Sequence, residues 1–152
     1  MTKEQNYQQI LKNADSLFAG ITNKITILAN ASALLYNNLE NLNWAGFYHY
    51  LNNQLELGPF QGKIACMIIP LNKGVCGACA TAKETIVVDN VHNFSGHIAC
   101  DSASNSEIVI PVFNKDNTLY ALLDIDSPIY SRFDEIDKFY LEEFVKILQK
   151  HL

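Results

Sequence analysis

The chain of 152 residues predicts an α+β fold: a central, mostly antiparallel sheet with N- and C-terminal helices packed on one face. Three observations carry that expectation. Helical periodicity is confined to the two ends. Short strand-like runs fill the middle. One small-residue helix interrupts them. The length suits a single domain over 1–152 with a real core. A hydrophobic share of 49% and a charged share of 18% are those of a globular protein.

Taken in order, Tyr7, Ile10, Leu11, Ala14, Leu17 and Phe18 recur at three- and four-residue spacing and predict an amphipathic helix ending at Gly20. After Thr22-Asn23 a second stripe runs through Ile25, Leu28, Ser32, Leu35, Leu39 and Leu42. These two helices are expected to pack together, with outer faces suited to a homodimer. Trp44–Leu51 is aromatic-rich and reads as a strand. Asn52-Asn53 turns it back through Gln54-Leu55-Glu56-Leu57, and Gly58-Pro59 is expected to break that strand, leaving Phe60-Gln61-Gly62 as a loop. Residues 64–69, with Cys66 among them, read as a third strand ended by Pro70. Gly74–Ala82 is a small-residue helix and Ile86–Val88 a short strand. Residues 89–106 show no period, and so long an irregular stretch inside a compact domain is usually functional. Residues 108–113 and 119–125 form a hairpin about Asn114-Lys115-Asp116-Asn117. Asp134 caps a last helix that buries Ile136, Phe139, Tyr140, Phe144, Ile147 and Leu148.

Charge and patterning exclude several classes. A net charge of −5 without a Lys/Arg stripe argues against nucleic acid. The N-terminal residues lead into no apolar stretch, so no signal peptide is expected. No apolar run approaches the ~20 residues of a membrane span. A cytoplasmic location follows as an expectation, with Cys66, Cys76, Cys79 and Cys100 as thiols rather than structural disulfides.

The reactive stretch is Gly96-His97-Ile98-Ala99-Cys100-Asp101, which continues through small polar residues into the strand at Ile108. It delivers a cysteine to the mouth of a strand, where scaffolds hold functional loops. Cys100 is the candidate nucleophile. A protonated His97 would favour its thiolate and Asp101 would oppose it. Cys76 sits at a helix start, whose dipole favours thiolate. Cys66, taken alone, reads as a buried inert thiol, and Cys79 as a small packing residue. Cys76-x-x-Cys79 with His97-x-x-Cys100 also offers four zinc-type ligands. A zinc-stabilised interaction domain is therefore a rival reading, whereas a thioredoxin-type dithiol lacks its βαβ context. His49 and His92 read as ordinary strand and loop residues. Trp44, at a strand start, reads as core or as a pocket wall.

Three acids complete the pattern. If the hairpin turn centres on Lys115-Asp116, Glu107 faces Asp124, and Asp126 lies on the same side two residues on, roughly 6.5–7 Å away. A slip of one residue would turn these side chains to the other face. Crowded carboxyls cannot all ionise cheaply, so one keeps a proton near neutrality, as a general acid requires.

Gly58-Pro59-Phe60-Gln61-Gly62, Gly74-Val75-Cys76-Gly77, Asp89-Asn90-Val91-His92, Gly96-His97-Ile98-Ala99-Cys100-Asp101, Ser104-Asn105-Ser106-Glu107-Ile108 and Leu123-Asp124-Ile125-Asp126-Ser127 closely resemble the free methionine-(R)-sulfoxide reductases. These are single-domain proteins of the GAF fold, and the likeness runs nearly the length of the chain. The resemblance implies a GAF-like sheet and Cys100 as the catalytic cysteine. It implies Cys66 and Cys76 as the resolving and recycling thiols, and Trp44, Glu107, Asp124 and Asp126 as the substrate pocket, with Glu107 or Asp126 as the acid. Free methionine-(R)-sulfoxide is then the substrate and thioredoxin the reductant, with no metal or organic cofactor. Cys79 has no counterpart in that pattern. The other rival is a ligand-sensing GAF module without chemistry; the absence of an output domain in 152 residues and the acid-plus-cysteine arrangement weigh against it.

Overall fold

The computed structural model describes residues 1–97, 100 and 102–152. Helix α1 (Lys3–Phe18) opens on a capping box between Thr2 and Gln5, and α2 (Lys24–Asn38) opens on the Asn23 side chain. Strands β1 (Trp44–Leu51), β2 (Gln54–Gly62) and β3 (Ile68–Pro70) follow, then α3 (Gly74–Ala82), β4 (Ile86–Val88) and a 3₁₀ turn at Val91–Asn93. Strands β5 (Ser106–Phe113) and β6 (Leu119–Ser127) and helix α4 (Glu135–His151) complete the chain. The six strands form one sheet in the order β3-β2-β1-β6-β5-β4, and every neighbouring pair is antiparallel.

Alternation along the strands sorts the core into two layers. Ala45 and Phe47 of β1, Ile108, Ile110 and Val112 of β5, and Ala121, Leu123 and Ile125 of β6 bury against α1, α2 and α4. The intervening residues face α3, where Trp44, Tyr48, Val109 and Leu122 pack with Val75, Cys76 and Cys79. The terminal helices therefore share one face, as expected, and α3 with its flanking loops covers the other.

The structure corrects the reading of several elements. Gly58-Pro59 does not end β2. The ladder passes from Gly46↔Phe60 to Tyr48↔Leu57, so both residues are taken up in an irregularity opposite Phe47, and a bulge is where a strand tolerates proline. Residues 63–67 form no strand, which places Cys66 in an irregular segment; Ile64 is 90% exposed there, so its apolar character marks no core position. On α2, Ile25 is exposed and the buried stripe is Ile27, Leu28, Ala31, Ser32 and Leu35. On α4, Phe139 is exposed and Asp137 is fully buried in its stead.

The β5–β6 register is also offset from expectation: Glu107 pairs with Asp126, not Asp124. Asn114 N–H donates to Thr118 O, which centres the turn on Asp116, half a residue later than expected. A bulge between Val112 and Phe113 against Ala121 and Leu119 then adds one residue on β6. The two offsets run in the same direction and total two residues, so the facing of every side chain is preserved.

Candidate active site

The site is built on a row of paired residues. Trp44 of β1 is the partner of Asp126 on β6, and Asp126 is the partner of Glu107 on β5. One step along, Gly46 pairs with Asp124. Period two sends all the side chains of this row to the α3 face. Gly46 is required here: a Cβ would sit 2.9 Å from Trp44 Cη2 and 2.3 Å from Phe60 Cβ. The indole lies over the glycine, stacked on Phe60 at 5.2 Å and on Tyr48 at 5.8 Å between centroids, and its Nε1–H donates to Lys63 O at 3.2 Å.

Helix α3 and two irregular segments close the site. The first turn of α3 brings Cys76 Sγ to 4.0 Å from Glu107 Oε2. Gly74 N–H donates to Gly96 O at 2.8 Å, which ties the segment before Cys100 to the start of α3. Cys66 and Cys100 are joined as a disulfide, with Cα atoms 5.4 Å apart. Tyr48 donates its hydroxyl to Cys66 O at 2.9 Å. The result is a cavity of about 50 Å³ whose lining includes Trp44, Tyr48, Cys76, Cys100, Glu107, Asp124 and Asp126. That is room for a few waters.

Burial governs the electrostatics. Glu107 is held well above the usual carboxyl range by burial, then by the charges of Asp124 and Asp126 beside it. Asp124 is also raised by burial, against hydrogen bonding from Glu107 and Cys76. Its Oδ1 is buried without a hydrogen-bond partner among the described residues. The cluster thus retains protons near neutrality. The Cys76 thiol is pushed well up by burial and by Asp124, Glu107 and Asp126. This reverses the expectation from its helix-start position, because burial and then three nearby acids outweigh a nine-residue helix dipole. Cys79 is pushed up to about 12 by burial and Asp124, and its Sγ contacts Val109 O at 3.6 Å, the packing role expected of it. His97 lines the cavity but is lowered by burial and His92, so it supplies no standing imidazolium to Cys100. The expected influence of Asp101 lies outside the described residues.

Trp44, Cys76, Cys100, Glu107, Asp124 and Asp126 meet in one cavity, and Cys66 joins them through its sulfur. The zinc-type quartet is not assembled. Cys100 is bonded to Cys66 and Cys79 turns to Val109; the ligand atoms that converge are those of Cys76, Glu107 and Asp124. Sequence reasoning missed Tyr48, although a residue four after Trp44 on one strand shares its face. It also missed Lys73, Gly74 and Val75, which line the cavity from an α3 start that carries no side-chain cap.

Fold and site together define a GAF-domain protein with a cysteine and carboxyl pocket; the GAF domain family model matches residues 13–151. The chain is 47% identical over 152 residues to "Free methionine-R-sulfoxide reductase" of Escherichia coli (strain K12), covering 100% of this chain and 92% of that protein. It superimposes on a solved structure of fRMsr of Staphylococcus aureus in complex with substrate, with a TM-score of 0.92, 51% identity and coverage of 97% and 95%. Free methionine-R-sulfoxide reductase from Neisseria meningitidis, solved in complex with its substrate, gives a TM-score of 0.94 at 40% identity, with coverage of 99% and 90%. The chain belongs to the free methionine-R-sulfoxide reductase family. Among the described residues, no helix is long and apolar enough to cross a membrane.

Proposed function

We propose that the chain reduces free L-methionine-(R)-sulfoxide to methionine, with Cys100 as nucleophile and Cys66 as resolving thiol. The observation that carries this reading is the convergence of Cys100, Trp44 and three buried acids, one of them Glu107 held protonated above the usual carboxyl range, on one small cavity.

In the dithiol form, Cys100 thiolate attacks the sulfoxide sulfur. The S–O bond polarises, and Glu107, protonated because it is buried among acids, donates to the oxygen, with Asp126 directly opposite as the alternative donor. Methionine leaves and Cys100 is left as a sulfenic acid. Two electrons pass from the Cys100 sulfur to the substrate sulfur, so the step needs no metal or organic cofactor. Cys66 then displaces water to give the disulfide, and thioredoxin returns the pair to thiols by exchange. Cys76 is the reserve thiol of the same cavity, slower because its proton is held tightly.

Trp44 packs on the substrate's methyl group. Asp124, whose Oδ1 has no hydrogen-bond partner among the described residues, pairs with the free α-ammonium. The uncapped start of α3, with amides near Cys100, receives the α-carboxylate. A peptide-bound residue has neither terminus and leaves those buried groups unpaired, which discriminates strongly against it. The exposed Leu17, Ile21 and Ile25 at the α1–α2 corner are the contact we assign to a homodimer. A cytoplasmic location, where thioredoxin keeps such thiols cycling, fits the cysteine usage.

The test incubates reduced protein with each sulfoxide diastereomer, free and peptide-bound, and counts methionine formed and thiols lost. The free (R) form alone should consume a pair of thiols per methionine. Thiols that survive intact with that substrate, or equal turnover of the peptide form, would refute the assignment.

A further inference from the structure

We propose that the Tyr48 hydroxyl is the positioning group for Cys66, holding the resolving thiol where it closes on Cys100; this rests on the reductase reading above. Cys66 sits in residues 63–67, which belong to no helix or strand. Ala65 and Cys66 pack half-buried on the α3-side core, but Ile64 and Met67 are 90% and 75% exposed, so burial anchors only part of the segment. Polar tethers supply the rest. Leu57 N–H donates to Met67 O at 2.9 Å, Trp44 Nε1–H to Lys63 O at 3.2 Å, and Tyr48 OH to Cys66 O at 2.9 Å. Only the last of these bonds grips the residue that bears the thiol.

Tyr48 is suited to the task. Its ring is 2% exposed and stacks on Trp44, so the donor is fixed from the sheet side. Burial and the neighbouring Asp124 push its phenol far up, so the hydroxyl keeps the proton it donates. Trp44 and Tyr48 line the substrate cavity and hold the Cys66 segment with the same two side chains. In the step concerned, Cys66 sulfur bonds to Cys100 sulfur and the Cys100 S–O bond breaks. The oxygen leaves as water with the two protons of the sulfenic acid and thiol, and no further reductant enters. The rate of that step depends on the effective concentration of Cys66 at Cys100, and so on where the backbone of Cys66 is held.

Single-turnover quench experiments with free methionine-(R)-sulfoxide on wild type and Tyr48→Phe give two rates, methionine release and disulfide closure, while Cys66→Ser, which cannot close, sets the ceiling for accumulated sulfenic acid. In Tyr48→Phe the ratio of closure to release should fall about fivefold, the scale of one lost hydrogen bond. Dimedone-trapped Cys100 sulfenic acid should rise to a level between wild type and Cys66→Ser. A variant that slows both steps alike and leaves the ratio at the wild-type value would overturn the proposal. Equilibration against glutathione buffers, read by mass on folded protein, is the second measurement. There the Cys66–Cys100 pair of Tyr48→Phe should shift toward the dithiol, and an unshifted equilibrium would count against the tether. If wild type releases no methionine, the reductase reading fails, while the glutathione equilibrium still tests the tether.

Discussion

Glu107 lies directly opposite Asp126 across the β5–β6 ladder, and both carboxyls are buried. Their side chains are hydrogen-bonded to each other. Burial and two acid neighbours keep Glu107 protonated above the usual carboxyl range.

The first consequence is kinetic. Glu107→Gln keeps the shape and removes the acid, so first-turnover methionine release should fall by about 10²–10⁴. In wild type that rate should decline as pH rises through the elevated Glu107 value. The glutamine variant should lack the limb. Stopped-flow profiles of both proteins check this, and an unchanged rate in Glu107→Gln would remove it as the donor.

A second consequence is thermodynamic. Glu107 ionises at higher pH folded than unfolded, so between the ordinary carboxyl range and its raised value the folded state binds more protons. Its contribution to stability is therefore lost as pH rises through that window. Glu107→Gln escapes the penalty. Its Tm should exceed that of wild type, by a margin a few degrees larger at about pH 8 than at about pH 5. Calorimetry at both values measures the difference.

Asp137 carries the third expectation, on the opposite side of the sheet. This fully buried carboxylate accepts from Tyr7 OH at 2.6 Å, Lys3 Nζ at 2.7 Å and Arg132 at 3.1 Å, joining the starts of α1 and α4. Asp137→Ala leaves the guanidinium and the phenol without their acceptor. It should cost about 3–5 kcal/mol in urea denaturation, with the stoichiometry of methionine release by folded protein unaltered.

Much of this site was legible in the chain because period two is robust. Glu107, Asp124 and Asp126 share a face whichever register of the same parity the hairpin takes, so the expected cluster of acids survived an offset of two residues along the ladder. What local pattern could not supply was position along the ladder, which an αL residue at Asn117 and a bulge near Phe113 decide. The Cys66 segment misled for a related reason. Ile64, Met67 and Ile68 read as strand by propensity, yet the segment is irregular through Met67 and β3 starts only at Ile68. Buried Asp137 was hidden because an acid three residues after an Asp cap looks like ordinary helix-start chemistry; its partners Lys3 and Tyr7 lie more than a hundred residues away. The sign of the Cys76 shift likewise depended on tertiary neighbours.

The most direct measurement uses protein carrying Cys66→Ser and Cys76→Ser, so that no partner thiol of the cavity can resolve the oxidised cysteine. Given free methionine-(R)-sulfoxide and dimedone, each chain should release one methionine and carry one adduct, mapped by mass spectrometry to Cys100. An adduct on another residue, or methionine release that persists at the same rate in Cys100→Ser, would contradict the account.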